Sequence, residues 1–157
     1  MTEPIAERPF IAHPEYGVPS HTDDLVEWSW VEERFRAEQN YWVATASPDG
    51  APMARPVWGV YVDGAVCFGG GPRTRWSRNV EANPRVSLHL ESGAEVVIAE
   101  GAVDRIEDRK DPRLDAIDDV YEVKYEMRHG PPIWVLRPDV VLAWTRFPDD
   151  MTRFRFG

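Results

Sequence analysis

The chain has 157 residues, enough for one domain with a sizeable core, and its 43% hydrophobic and 29% charged residues match a globular protein rather than a disordered or fibrous one. Eighteen Lys and Arg stand against 27 Asp and Glu, a formal charge of −9, which argues against wrapping a nucleic-acid backbone or docking on an anionic membrane, since both need a basic surface. No apolar run approaches the ~18 residues of a membrane span, and the opening MTEPIAERPF has no apolar signal region, so the cytoplasm is the default compartment.

Residues 1–22 carry Pro4, Pro9, Pro14 and Pro19 with little periodicity and read as an arm, extended or draped over a single body of residues 23–157. Asp23 or Asp24 can cap a helix running to about Asn40, with Leu25, Trp28, Val31 or Glu32, and Phe35 on its inner face. Tyr41–Ala46 is β-branched and aromatic and ends at Ser47-Pro48-Asp49-Gly50, a hairpin turn. Met53–Val62 predicts a second strand, Asp63-Gly64 a tight turn and Ala65–Gly69 a third strand, together an antiparallel meander.

After Gly69-Gly70-Gly71-Pro72, Thr74 can cap a helix with body Arg75–Ala82, closed by Asn83-Pro84. Arg85–Glu91 alternates apolar and polar residues, and Ser92-Gly93 turns it into a long strand, Glu95–Ile106. Asp108–His129 is charged and helical, with an inner stripe of Leu114, Ile117, Val120 and Tyr121; the nine acids between Asp104 and Glu126 read as a solvated face. Ile133–Leu136 and Val140–Trp144 are the final strands. This order predicts a mainly β (α+β) fold: a small antiparallel barrel of six or seven strands with flanking helices, not a Rossmann sheet.

Only Lys110 and Lys124 are lysines; the other cations are arginines, and four of them fall between Arg73 and Arg85, where Glu81 is the sole acid. A local arginine cluster in an acidic chain points to one small anionic ligand. Cys67, the single cysteine, sits between Val66 and Phe68 as a buried strand thiol, and the four histidines lack metal-ligand spacing. No nucleophile elbow, H-E-x-x-H, S-x-x-K, C-x-x-C or P-loop is present, so any chemistry belongs to a bound cofactor. Gly69 to Arg78 is the candidate site: glycine N–H groups, a helix N-terminus, the Thr74 hydroxyl, and Arg73, Arg75 and Arg78 all favour an anion. Arg55 stands in the apolar strand Met53–Trp58, where a guanidinium needs an anionic partner, either a ligand or an acid such as Glu100.

The run Ala44-Thr45-(x3)-Asp49-Gly50-(x)-Pro52, continued by Pro56-Val57-Trp58, Asp63-Gly64 and Phe68, resembles the opening hairpin of the pyridoxamine 5′-phosphate oxidase-like proteins, the FMN-binding split barrels. Gly71-Pro72-Arg73-Thr74-Arg75-(x2)-Arg78-Asn79-Val80-(x2)-Asn83-Pro84-Arg85-Val86 resembles their phosphate loop and following helix, and Glu100-Gly101-Ala102-Val103 the next strand. The resemblance implies a split β-barrel, a homodimer with cofactor sites at the interface, and FMN as cofactor. By position, Arg55, Pro56, Val57, Trp58, Phe68 and Gly69 would line the ring system, and Thr74 and Arg75, with Arg55, would hold the phosphate. The family's loop commonly reads Ser/Thr-Arg-Lys, whereas here Trp76 takes the third place. That departure leaves three alternatives: weaker FMN binding compensated by Arg73 or Arg78, an indole stacked on a ring, or a site for the deazaflavin F420. Thr152–Phe156 does not match the substrate-phosphate residues of the true oxidases, which argues against vitamin B6 oxidation. A non-catalytic flavin- or haem-binding protein and a bare structural dimer are the competing readings. The substrate is not legible.

Overall fold

A computed structural model describes residues 3–157, and among these it shows ten strands and three α-helices. In chain order they are β1 (Ile5–Glu7), α1 (Trp28–Ala37), β2 (Tyr41–Ala46), β3 (Pro52–Val57), β4 (Gly59–Val62), β5 (Ala65–Gly69), α2 (Arg75–Ala82), β6 (Arg85–His89), β7 (Val96–Ile106), α3 (Leu114–Tyr125), β8 (Ile133–Leu136), β9 (Val140–Trp144) and β10 (Thr152–Arg155). Every pairing is antiparallel, as predicted. One wing runs β1-β10-β9-β7-β6-β2-β3; the other is β4-β5-β8, joined to the first through β7.

β7 belongs to both wings because it is long and its edge is used twice. Val96–Glu100 pairs with β9 and Val103–Ile106 with β8. Between them the chain turns at Arg137-Pro138-Asp139, and the Asp139 N–H donates to Glu100 O at 2.8 Å. Gly101 lies under this corner: a Cβ there would stand 2.9 Å from Arg137 O, so a side chain is excluded by backbone. β3 and β4 pair only with β2 and β5 respectively, so the barrel is open between them.

Alternation assigns the faces. Val66, Phe68, Trp134 and Leu136 turn into the barrel core with Phe35, Tyr41, Val43, Leu88 and Phe154. Their neighbours Ala65, Cys67, Ile133 and Val135 turn outward against Leu114, Ile117 and Tyr121 of α3. β5 and β8 are therefore buried on both faces. The Cys67 thiol is among these; burial pushes its pKa up to about 12, so it stays a thiol.

Several local expectations change. The strand predicted over Met53–Val62 breaks at Trp58, because β3 pairs in one wing and β4 in the other; there is no three-stranded meander. α1 begins at Trp28 rather than after Asp24, whose carboxylate instead accepts the Arg8 guanidinium at 2.6 Å. The predicted Asp108–His129 helix shortens to Leu114–Tyr125, since Asp108 and Asp111 use their carboxylates to cap turns at Lys110 and Arg113. Part of the arm is a strand: Ile5–Glu7 pairs with β10, which adds two strands to the predicted seven, and the break at Trp58 adds the third. Arg8 locks the arm down by donating to Asp149 O, Met151 O and His21 O.

Gly101→Ala should lower stability by about 1–3 kcal/mol, the usual cost of overpacking against atoms that cannot yield. A urea midpoint equal to that of the parent would show that the β8–β9 corner can move aside.

Candidate functional site

α2 is positioned by its cap and by one buried contact. The Thr74 hydroxyl accepts from Ser77 N–H at 3.4 Å and donates to Gly71 O at 2.9 Å, which fixes the glycine loop onto the helix start. Asn79, buried, donates to Thr45 Oγ1 at 3.1 Å and ties α2 to β2. Helical periodicity then separates two faces: Trp76, Ser77, Asn79 and Val80 are buried, while Arg73, Arg75 and Arg78 are exposed. The Trp76 indole, 6% exposed, packs edge-on to Trp134 with centroids 4.7 Å apart and against Phe68 at 5.8 Å. A Cβ on Gly70 would fall 2.5 Å from its ring, so the glycine loop lies directly on the indole. Trp76 thus sits in the core beneath the loop, turned away from the arginines around it.

Arg55 lies opposite Val43 in the β2–β3 register and shares its face with Met53 and Val57. Those two are buried, but Arg55 is exposed and donates only to Ala54 O at 2.8 Å. Glu100 is not its partner: it belongs to β7, with β6 and β2 intervening before β3. Among the described residues Arg55, Arg73, Arg75 and Arg78 have no carboxylate in ion-pair range, nor do the distant Arg109 and Arg137, whereas Arg8, Arg34, Arg36, Arg85, Arg105, Arg113, Arg128, Arg146, Arg153 and Arg155 each have at least one. The Asp49 carboxyl is held below its ordinary range, chiefly by the Ser47 hydroxyl, with a smaller pull from Arg75. α2 itself packs against β2 and against β3, the strand that carries Arg55.

Trp58, at the break between β3 and β4, is 46% exposed, and Tyr125 lies parallel to it with centroids 4.6 Å apart. Pro56 is exposed, Val57 buried, Phe68 fully buried, and Gly69 ends β5 against the His129 ring, which a Cβ would meet at 2.0 Å. Arg55 and Trp58 are therefore exposed near the arginines of α2, which packs against β2 and β3, while Pro56 points to the opposite face of β3 and Val57, Phe68 and Trp76 are buried beneath. Surface cavities of about 270, 180, 610 and 270 Å³ are lined by other residues.

Three residues of α3 hold this surface in place, and the sequence reading placed none of them there. The Tyr121 hydroxyl donates to Trp58 O at 2.9 Å and accepts Gly69 N–H at 3.1 Å. The Tyr125 hydroxyl accepts Gly59 N–H at 2.9 Å, and Lys124 Nζ donates to Gly59 O at 2.8 Å while facing the Tyr41 and Tyr125 rings. Their signal is the spacing 121, 124 and 125 on one helical face, of which only Tyr121 belongs to the inner stripe expected from the sequence. Burial lowers the Lys124 ammonium from its ordinary 10.5 to about 8, against an upward pull from Glu38. Among the described residues no group of three or more His, Cys, Asp or Glu could hold a metal ion, and no helix is long and apolar enough to cross a membrane.

The sequence pattern of the pyridoxamine 5′-phosphate oxidase family matches residues 30–145, most of the chain, and the protein belongs to that family. None of the curated proteins matches it in sequence. Among solved structures it is similar to an F420 reductase, at 21% identity over 70% of this chain and 94% of that one, with a TM-score of 0.55. A conserved hypothetical protein from Mycobacterium tuberculosis superposes with a TM-score of 0.64, at 20% identity over 78% of this chain and 87% of that one. A haem-binding protein from Mycobacterium smegmatis gives 0.65 at 22% identity over 83% of this chain, which spans only 59% of that longer one. At these identities the structures establish the split-barrel fold.

Lys124 makes stability depend on pH. Its folded pKa lies below the unfolded one, so between about pH 8 and 10 the unfolded chain holds a proton that the folded protein lacks, and stability rises across that window. Urea midpoints at pH 7, 8, 9 and 10 should show this rise in the parent and lose it in Lys124→Met. Parallel curves for the two proteins would remove Lys124 as the source.

Proposed function

We propose that this member of the family is an oxidoreductase that binds FMN on the surface between β3 and the start of α2. The observation that carries the reading is the set Arg55, Arg73, Arg75 and Arg78, left without carboxylates in a chain of charge −9 whose other arginines are largely paired. An exposed guanidinium gains little from a rim ion pair, but several converging on one phosphate form charge-assisted, bidentate bonds. In this reading Arg55, Arg75 and the Thr74 region at the α2 N-terminus hold the phosphate. Trp58 and Gly69 border the ring system, Val57 and Phe68 back it from the core, Pro56 contributes through the backbone of β3, and Trp76 seats the glycine loop. The bound flavin supplies hydride chemistry at its central ring; the protein binds it, orients it and shields it from water. The compartment that suits this reading is the cytoplasm.

The deazaflavin F420 is the alternative cofactor, favoured by the likeness to an F420 reductase and by the absence of a lysine at Trp76. Haem carried without turnover is the reading that the likeness to a haem-binding protein favours.

The site is an open surface, and a second copy of the chain is the natural cover. Pro56, Trp42, His89, Ile98 and Leu142 lie in one register row across β3, β2, β6, β7 and β9. Apart from exposed Pro56 they are half-buried, with Trp42 stacked on His89, an apolar row that begins at the strand of Arg55 and suits a homodimer. Sedimentation should report a dimer, and Trp42→Arg a monomer; a monomeric parent would remove the dimer from the proposal.

The absorption spectrum of the purified protein, followed by titration with FMN, F420 and haem, tests the cofactor. Flavin binding is the expected result; a Soret band with no flavin affinity would transfer the site to haem. Arg75→Ala should weaken FMN roughly ten- to hundredfold, as befits a lost charged hydrogen bond, and leave riboflavin within about twofold. Equal losses for both ligands would take Arg75 off the phosphate.

A further inference from the structure

The β4–β5 hairpin contains a hydrogen-bond position that is neither made nor left empty. Asp63 and Gly64 both have positive φ (48° and 74°) and form the two-residue turn that closes the hairpin. Such a turn makes Val62 and Ala65 a hydrogen-bonded pair, and antiparallel alternation makes Val60 and Cys67 the next one. Gly59 and Phe68 are then a non-bonded pair, with the Gly59 N–H and C=O pointing away from β5. They do point away, since both are taken by Tyr125 and Lys124. The following pair, Trp58 with Gly69, should again exchange direct bonds. Instead the Tyr121 hydroxyl stands between them, taking the Gly69 N–H and passing its own proton to Trp58 O.

We infer that Tyr121 is a positioning residue for the cofactor site, a wedge whose hydroxyl splays the hairpin at Trp58 and Gly69 and thereby sets the separation of the two walls between which the cofactor lies. The inference rests on the proposed cofactor site, because Trp58 leads back into β3 and Arg55, while Gly69 leads forward into the glycine loop and Arg75. Among the described residues no strand pairing spans the opening directly: β4 pairs only with β5, and β3 only with β2. The wedge is rigid. Tyr121 is fully buried, its helix is anchored by Leu114 and Ile117, and its ring contacts Tyr125 and His129. Burial, and then the neighbouring Tyr125, raise its phenol well above the ordinary range, so the bridging proton is present at every working pH.

Tyr121→Phe keeps the ring and removes the bridge, which lets Gly69 N–H bond to Trp58 O directly and draws the walls together. In the ligand-free variant an amide–amide nuclear Overhauser contact between Trp58 and Gly69 should appear that the parent lacks. The FMN dissociation constant should rise about fivefold or more. Ile117→Val, a buried change on the same helix away from the site, serves as the stability control and should leave FMN affinity within about twofold at a similar loss of melting temperature. An unchanged FMN affinity in Tyr121→Phe, or an equal loss in Ile117→Val, would reduce Tyr121 to a structural residue. If the parent binds neither FMN nor F420, the cofactor reading fails, and the wedge is judged by the ligand-free contact alone: its appearance in the variant upholds the splay, and unchanged amide signals overturn it.

Discussion

A barrel that does not close must satisfy the backbone at the opening. Where β3 and β4 part, Gly59 presents its N–H and C=O to no neighbouring strand and Trp58 O does not reach Gly69 directly, and a buried peptide group without a partner costs about as much as a lost hydrogen bond. α3 answers this with side chains. Tyr125 and Lys124 take the free edge at Gly59, and Tyr121 takes the splayed pair beyond it. The arrangement also demands a glycine: a Cβ on Gly59 would stand 2.6 Å from the Tyr41 ring and 2.8 Å from Cys67 O. The position of α3, the bend at Trp58 and the direction of β3 are thus one solution to one constraint, and the arginine surface is placed by it.

Charge is distributed on the same plan. The acidic α3 segment is a solvated face, as its pattern implied, but it is organised: Arg128 draws Asp119 and Glu122 together, and Arg113 bridges Asp104 and Asp111. These pairs are largely exposed and each contributes little to stability. They offset part of the acidic charge on that side of the molecule. The arginines near the start of α2 are exposed and, among the described residues, without carboxylate partners, a local excess of positive charge in a chain of charge −9.

What the sequence made legible was local in origin. Tyr41–Ala46, Arg75–Ala82 with Thr74 as its cap, and Ile133–Leu136 were readable to the residue because alternation, capping chemistry and β-branching act within a few positions. The break at Trp58 was hidden, because Met53–Val62 is uniformly strand-like and only pairing with two different wings divides it. The arm reads as extended or draped over the body without a strand of its own, since its prolines obscure three residues that complete a sheet edge. The arginines of 73–78 stood out as a departure from overall charge, yet the inward turn of Trp76 required knowing that Phe68 and Trp134 wait beneath it. Tyr121 reads as part of a packing stripe because its hydroxyl partners are backbone atoms some sixty residues away in the chain.

The pairing of β1 with β10 joins Ile5 to Arg155, residues near opposite ends of the chain, and Arg8 reinforces it from the same arm. Contacts so distant in sequence close a loop of about 150 residues, whose entropy cost must be met before the pairing contributes. Until then β10 presents a bare row of donors and acceptors, the kind of template on which other chains assemble. The arm therefore acts as a fold-dependent cover, and the interval before it docks is the time of greatest exposure to aggregation, which makes its prolines and charges a safeguard for the folding chain as much as for the folded one.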